Sequence, residues 1–186
     1  MFPAIFLDRD GVIIENREEY VRSWADVSIY PQALSALEMA SHSTHKIVII
    51  TNQAGVGKGL IPLQTATEIN RRLVQVIERA GGRVDGLYMC PHTPQDQCEC
   101  RKPQPGMILQ AARALSLDLA QSWVIGDALS DLQAGRAAGV GHIALVRTGR
   151  GDQQAQLPES ATLGPFRLFH DLTDAIQHLL KALPSD

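Results

Sequence analysis

Short runs of consecutive apolar residues alternate along this chain with longer stretches in which apolar positions recur every three or four residues. The runs Ala4 to Leu7, Ile47 to Ile50, Val84 to Met89, Trp123 to Ile125 and Ile143 to Val146 are strand-sized, with no polar alternation. They predict parallel strands buried on both faces. Between them Ile69, Leu73, Val76 and Ala80 keep helical spacing, as do Ile108, Ala112 and Leu115, with a shorter stripe of Leu34, Leu37 and Ala40. Pro31, Pro62 and Pro105 stand where these helices begin, a position that tolerates proline because the missing N–H would have no helical partner. The segment Arg150 to Gly164 has no hydrophobic period and reads as a surface wrap. A closing helix follows, with Leu172, Ile176, Leu179 and Leu183 on one face and Asp171 as its N-cap.

Strand and helix in regular alternation predict a doubly wound (Rossmann-like) parallel α/β sheet, forming one domain over residues 1–186. In such a sheet ligands bind beyond the carboxyl ends of the strands. That rule brings Asp8 and Asp10 after the first strand, Thr51 and Asn52 after the second, and Gly126 and Asp127 after the fourth to a common edge.

Composition narrows the partners. The 186 residues are 45% hydrophobic, and 17 basic against 20 acidic residues leave a net charge of −3, so there is no overall field to hold a nucleic acid. The apolar runs fall well short of the roughly 20 residues of a membrane span. Met1 to Asp8 lacks a basic leader region and predicts a cytoplasmic protein. We therefore expect a small-molecule partner, no nucleic acid, no membrane and a monomer.

Asp8 and Asp10 flank Arg9, and Gly11 permits a sharp departure from the strand that leaves both carboxylates exposed. Asp-x-Asp-Gly occurs equally in turns and calcium loops, so the tetrapeptide alone leaves turn and catalytic readings open. The neighbouring motifs decide. Phe6-Leu-Asp-Arg-Asp-Gly11, Ile50-Thr51-Asn52-Gln53, Arg101-Lys102-Pro103, and Val124-Ile125-Gly126-Asp127 followed after three intervening residues by Asp131 resemble, in that order, the four motifs of the haloacid dehalogenase superfamily.

The resemblance implies a phosphatase. Asp8 would attack phosphorus and carry the phosphoryl group, and Asp10 would protonate the leaving alcohol and then deprotonate water. Magnesium would be held by the Asp8 and Asp127 carboxylates and the Asp10 carbonyl. The Thr51 hydroxyl, the Asn52 N–H and Lys102 would bind phosphoryl oxygens, beside Gln53 and Arg101. Asp131 reads either as an indirect contributor to the metal site or as a helix cap, Thr51 as a strand end, and Lys102 as a surface charge.

Cys90 and His92, with Cys98 and Cys100, supply three thiolates and an imidazole within eleven residues. This is the donor set of a closed tetrahedral zinc site rather than a disulfide framework. The intervening loop is too polar to bury free thiols, and Cys98-Glu-Cys100 lacks the spacer of a redox pair. Zinc would stiffen the loop that precedes Arg101 and Lys102.

Within the superfamily, the zinc loop with Thr51-Asn52-Gln53 and Arg101-Lys102-Pro103 is similar to the branch of heptose 1,7-bisphosphate and histidinol-phosphate phosphatases. The stretches Gln133 to Val140 and Ala144 to Gly149 resemble the heptose enzymes, which remove the 7-phosphate of a sugar bisphosphate. The compact Cys90–Cys100 loop resembles the histidinol enzymes, and Ala128 stands where heptose enzymes often carry lysine. No insertion is long enough for a large cap. The flap residues Asn16, Arg17, Glu18 and Glu19 read either as ligands for sugar hydroxyls or as a solvated turn, and Arg101 and Arg147 as contacts for a distal phosphate. A zinc-stabilised binding module without turnover is the non-enzymatic alternative.

Overall fold

A computed structural model describes residues 1–181, so Leu183 of the closing stripe lies outside the described residues. Six strands form one parallel sheet: β1 (Ala4–Leu7), β2 (Lys46–Asn52), β3 (Gly86–Cys90), β4 (Trp123–Gly126), β5 (His142–Val146) and β6 (Arg167–Phe169). Their order is β3-β2-β1-β4-β5-β6, the doubly wound arrangement with its direction of winding reversed between β1 and β4. Registers such as Leu7 against both Ile49 and Ile125 align the carboxyl ends of the three central strands.

Among the described residues seven α-helices accompany the strands: α1 (Pro31–Ser41), α2 (Ala54–Gly57), α3 (Leu63–Arg79), α4 (Gly106–Leu115), α5 (Leu129–Ala138), α6 (Gly151–Ala155) and, after the last strand, α7 (Leu172–Lys181). Side chains alternate across the sheet. Ile5, Leu7, Ile47, Ile49 and Ile125 face a core closed by α1, α3 and α7, whereas Phe6, Val48, Ile50, Val124 and Leu145 face a second core under α4 and α5. Both faces are covered, which is why the strands carry unbroken apolar runs.

Differences from the sequence reading are local. Pro31 opens α1, but Pro62 and Pro105 stand one residue before their helices. The buried stripe of α3 runs Ala66, Ile69, Leu73, Ile77, because a 3.6-residue period carries it past Val76 and Ala80. Val84 precedes β3 instead of opening it. Arg150 to Gly164 is not featureless: it holds α6 and a 3₁₀ turn at Pro158–Leu163, whose apolar residues are too few to set a period. Asp171 does cap α7, accepting the Asp174 N–H at 3.0 Å. No helix among the described residues is long and apolar enough to cross a membrane.

Candidate active site

At the point where the winding reverses, Asp8 leaves β1 and Asp127 leaves β4. Carboxylate oxygens of Asp8, Asp127 and Asp131 lie within 4.8 Å of one another, and all three residues are buried. Gly11 makes the approach possible. Its φ is +86°, and a Cβ there would stand 2.2 Å from Asp127 Oδ2.

Lys102 lies among these acids, its side chain 2% exposed. Nζ is 2.8 Å from Asp8 Oδ1 and 2.7 Å from Asp131 Oδ1, and donates to the Ile50 carbonyl at 2.9 Å. Lys102 is therefore not a solvated charge. Burial would lower its pKa, but Asp131 and Asp8 outweigh burial and raise it. Asp8 moves the other way: burial pushes its carboxyl up to about 8, opposed by Lys102 and reinforced by Asp131, Asp127 and Asp10. Asp127 is also raised, by burial first, against the pull of Arg150. Hard oxygens crowded at the cost of raised proton affinity are a donor set that suits a hard divalent cation.

Asp131 meets the helix-cap reading and also pairs with Lys102. Oδ1 pairs with Lys102, while Oδ2 accepts the Ala128 N–H at 3.1 Å and closes the first turn of α5.

Asp10 is gripped by Arg9, Gln53 and Thr51. The Thr51 hydroxyl donates to Asp10 Oδ2 at 3.4 Å and accepts from Gln53 Nε2 at 2.8 Å, and Thr51 is fully buried, so in this structure the hydroxyl is engaged by Asp10 and Gln53. The Asn52 side chain holds the Lys102 backbone: Nδ2 donates to the Lys102 carbonyl at 3.0 Å and Oδ1 accepts the Lys102 N–H at 3.1 Å. This clasp fixes the loop that delivers the lysine.

A cavity of about 500 Å³ opens over Asp8 and Asp10, with Asn16, Gln53, Arg101 and Lys102 in its walls. Arg17 and Arg150 also line it. Glu19 does not. It faces a neighbouring groove with Glu18 and Arg22, and its side chain is 86% exposed, because the flap turns at Tyr20 through a left-handed φ of 67°. Arg147 is likewise absent from the cavity: it pairs with Asp152 at 2.6 Å on the surface.

Arg150 is the functional candidate that the sequence reading missed. Its N–H donates to Asp127 Oδ2 at 2.9 Å and its guanidinium reaches Oδ1 at 3.2 Å. Asn16 Nδ2 meets the same Oδ2 at 2.6 Å. The available signal was its position in a Gly149-Arg150-Gly151 turn soon after β5, at the ligand edge of the sheet.

Beside the cavity, Cys90, His92, Cys98 and Cys100 form a second metal-sized cluster, all donors within 4.8 Å. Cys90 Sγ is 3.6 Å from Cys98 Sγ and 3.1 Å from Cys100 Sγ, and His92 Nδ1 is 3.3 Å from Cys100 Sγ. Thiolates about 2.3 Å from a central ion would sit roughly 3.7 Å apart at tetrahedral corners, so these separations are somewhat tighter than a filled zinc cage, the shortest by about 0.6 Å. Arg101 Nη1 donates to the His92 carbonyl at 3.2 Å, tying cluster and cavity wall together.

A doubly wound sheet with an aspartate at the tip of β1, a partner acid at the tip of β4 and a lysine between them defines the haloacid dehalogenase class of hydrolases. A family model described as HAD-hydrolase-like matches residues 99–175. The D-glycero-beta-D-manno-heptose-1,7-bisphosphate 7-phosphatases of Bordetella bronchiseptica and Neisseria meningitidis are 37% and 34% identical to this chain, over 95% of it and 97% and 94% of their own lengths. The crystal structure of D,D-heptose 1,7-bisphosphate phosphatase from B. bronchiseptica, complexed with magnesium and phosphate, superposes with a TM-score of 0.88 at 36% identity, covering 97% of this chain and 99% of that one. The chain belongs to the D-glycero-beta-D-manno-heptose-1,7-bisphosphate 7-phosphatase family of haloacid dehalogenase-like hydrolases.

Proposed function

We propose that this protein is a magnesium-dependent phosphomonoester hydrolase that removes the 7-phosphate of a heptose 1,7-bisphosphate through a phosphoryl group carried on Asp8. The observation that carries the reading is the Asp8 carboxylate at the tip of β1, 2.8 Å from Lys102 and clustered with Asp127, under a cavity large enough for a sugar phosphate.

Asp8 attacks phosphorus in line, and the leaving alkoxide takes a proton from Asp10. Water then attacks the aspartyl-phosphate, Asp10 recovers the proton, and Asp8 is restored as carboxylate. Lys102 favours the ionised form of Asp8 against the effect of burial and offsets the negative charge gathering at the site. Asp131 and the Asn52 clasp hold Lys102 in place. The Asp8 and Asp127 carboxylates with the Asp10 carbonyl would hold Mg²⁺, which supplies neutralisation of the phosphoryl oxygens. Asn16 and Arg150 orient Asp127. Arg17, Arg101 and Arg150 on the cavity wall suit a substrate with a second phosphate, and among the described residues neither Arg17 nor Arg101 is engaged by a carboxylate.

Zinc is the fitting ion for the cysteine and histidine cage. With four protein donors the site is closed, so its part is structural: it fixes the loop from which Arg101 and Lys102 enter the cavity.

A phosphate-release screen with added magnesium, comparing α- and β-heptose 1,7-bisphosphate, fructose 1,6-bisphosphate and histidinol phosphate, tests the reading. Heptose bisphosphate is expected to give the highest kcat/KM, and Asp8→Asn is expected to abolish turnover with the fold retained. Preference for histidinol phosphate would overturn the substrate, and substantial activity in Asp8→Asn would overturn the mechanism.

A further inference from the structure

Asp10 is held far more tightly than a carboxylate at a strand tip requires. Its Oδ2 accepts from Arg9 Nε at 3.1 Å, Gln53 Nε2 at 3.1 Å and the Thr51 hydroxyl at 3.4 Å, and lies 2.9 Å from Arg9 Nη2. Among the described residues its Oδ1 accepts from Arg9 Nη2 alone, at 3.0 Å. A carboxylate oxygen offers two lone pairs, so Oδ2 is fully engaged and Oδ1 keeps a free one.

The grip is itself gripped. Arg9 is 1% exposed, and its remaining Nη1 donates to Asn70 Oδ1 at 2.7 Å. Asn70 is buried in the apolar stripe of α3, between Ala66, Ile69, Leu73 and Ile77, and its amide nitrogen meets only Met89 Sδ at 3.3 Å. Burying an amide on an apolar helix face is costly unless it is bonded, and its bond to Arg9 is the one that offsets the cost. Neither Arg9 nor Asn70 lines the cavity, so neither touches substrate.

We infer that Asn70 and Arg9 are positioning residues that fix the rotation of Asp10 and make Oδ1 the oxygen through which protons pass. The inference rests on the phosphatase reading. In the first step the Oδ1 proton goes to the leaving oxygen as its bond to phosphorus breaks and the Asp8–phosphorus bond forms. In the second, the water oxygen bonds to phosphorus as the Asp8–phosphorus bond breaks, releasing phosphate, and that water's proton passes to Oδ1. Asn70→Ala frees the guanidinium to rotate and lets the carboxylate turn with it. General acid–base catalysis is worth about 10²- to 10⁴-fold, and misplacement by about 1 Å can forfeit 10²-fold, so the loss should be partial.

The experiment compares wild type, Asn70→Ala and Asn70→Asp on the preferred sugar phosphate and on p-nitrophenyl phosphate, whose leaving group needs no proton. On the sugar phosphate, Asn70→Ala should lose about 10- to 100-fold in kcat with KM within about twofold of wild type. On p-nitrophenyl phosphate, rapid mixing should show a burst of about one equivalent of p-nitrophenol at close to the wild-type rate, followed by slow turnover, because only water attack still needs Asp10. Asn70→Asp keeps an acceptor for Nη1 and should restore the rate on both substrates. Asn70→Leu carries the same comparison if the alanine variant does not fold. Equal losses on the two substrates without a burst, a change in KM alone, or an Asn70→Asp variant as impaired as Asn70→Ala would overturn the inference while wild-type turnover leaves the phosphatase reading standing. A wild type inactive on every phosphate ester would overturn both.

Discussion

Replacing Lys102 by methionine keeps most of the side chain's length and removes the one cation buried between Asp8 and Asp131. Two effects should follow, separable by a second substitution. The ammonium lies 2.8 Å and 2.7 Å from two carboxylates, and all three side chains are at most 8% exposed. Removing one partner of such a buried arrangement costs about 3–5 kcal/mol, because the charges left behind lose their compensation. For a chain of this size each kcal/mol moves Tm by about 2–4 °C, so the melting temperature should fall by about 6–20 °C. The catalytic effect has another origin. Asp8 already has its pKa raised to about 8 by burial, against the pull of Lys102. Without that pull burial and the other carboxylates go unopposed, so the carboxyl holds its proton more firmly still, and a protonated acid does not attack phosphorus. We expect kcat to drop at least about 10²- to 10³-fold. Calorimetry in chelator, where no added cation masks the charges, measures the first effect, and phosphate release in magnesium the second. The double variant Lys102→Met with Asp131→Asn removes one stranded charge, so it should regain much of the melting temperature and none of the activity. A fall in Tm below about 2 °C, or a double variant no more stable than the single one, would refute the reasoning.

Metal analysis should find one zinc per chain, and Cys100→Ser should lose it, lower the melting temperature and leave residues 91–101 open to protease; retained zinc in that variant would contradict the four-donor cage. His45 predicts a pH effect remote from the site. It is 3% exposed, its Nδ1 has no partner among the described residues, and burial lowers its pKa. The unfolded chain therefore binds this proton more readily than the folded one, and stability should fall as pH drops through about 6.5 toward the lower folded value. Urea midpoints at pH 7.5 and 5.5 should differ less in His45→Leu than in wild type, and an unchanged difference would discount the histidine.

What could be read from sequence was what repeats or what is dense. Four of the five apolar runs declare the inner strands β2, β1, β4 and β5, because burial on both faces leaves no room for polar alternation; the fifth marks the edge strand β3, and Asp8 and Asp127 follow from where β1 and β4 end. The edge strand β6 stayed hidden, since Phe169 alone of its three residues is buried. α2 is four residues, too short for a period. At the site, the sequence supplied the groups but not their partners. Thr51 and Asp10 both carry polar heads at adjacent strand tips, and only the packing shows one hydroxyl committed to the other's carboxylate. Arg150 and Asn70 were illegible for the same reason: one lies in a polar loop and the other inside an apolar stripe, where neither periodicity nor spacing marks them.

The two acids that must meet, residues 8 and 127, stand on neighbouring central strands yet are separated by most of the polypeptide. No contiguous fragment that omits either half can assemble the reactive pocket, and none can do so before β4 has slotted in beside β1. Turnover is therefore a gauge of completed refolding: in a renaturation experiment it should return last, after helical signal and collapse, and in step with insertion of the middle strand.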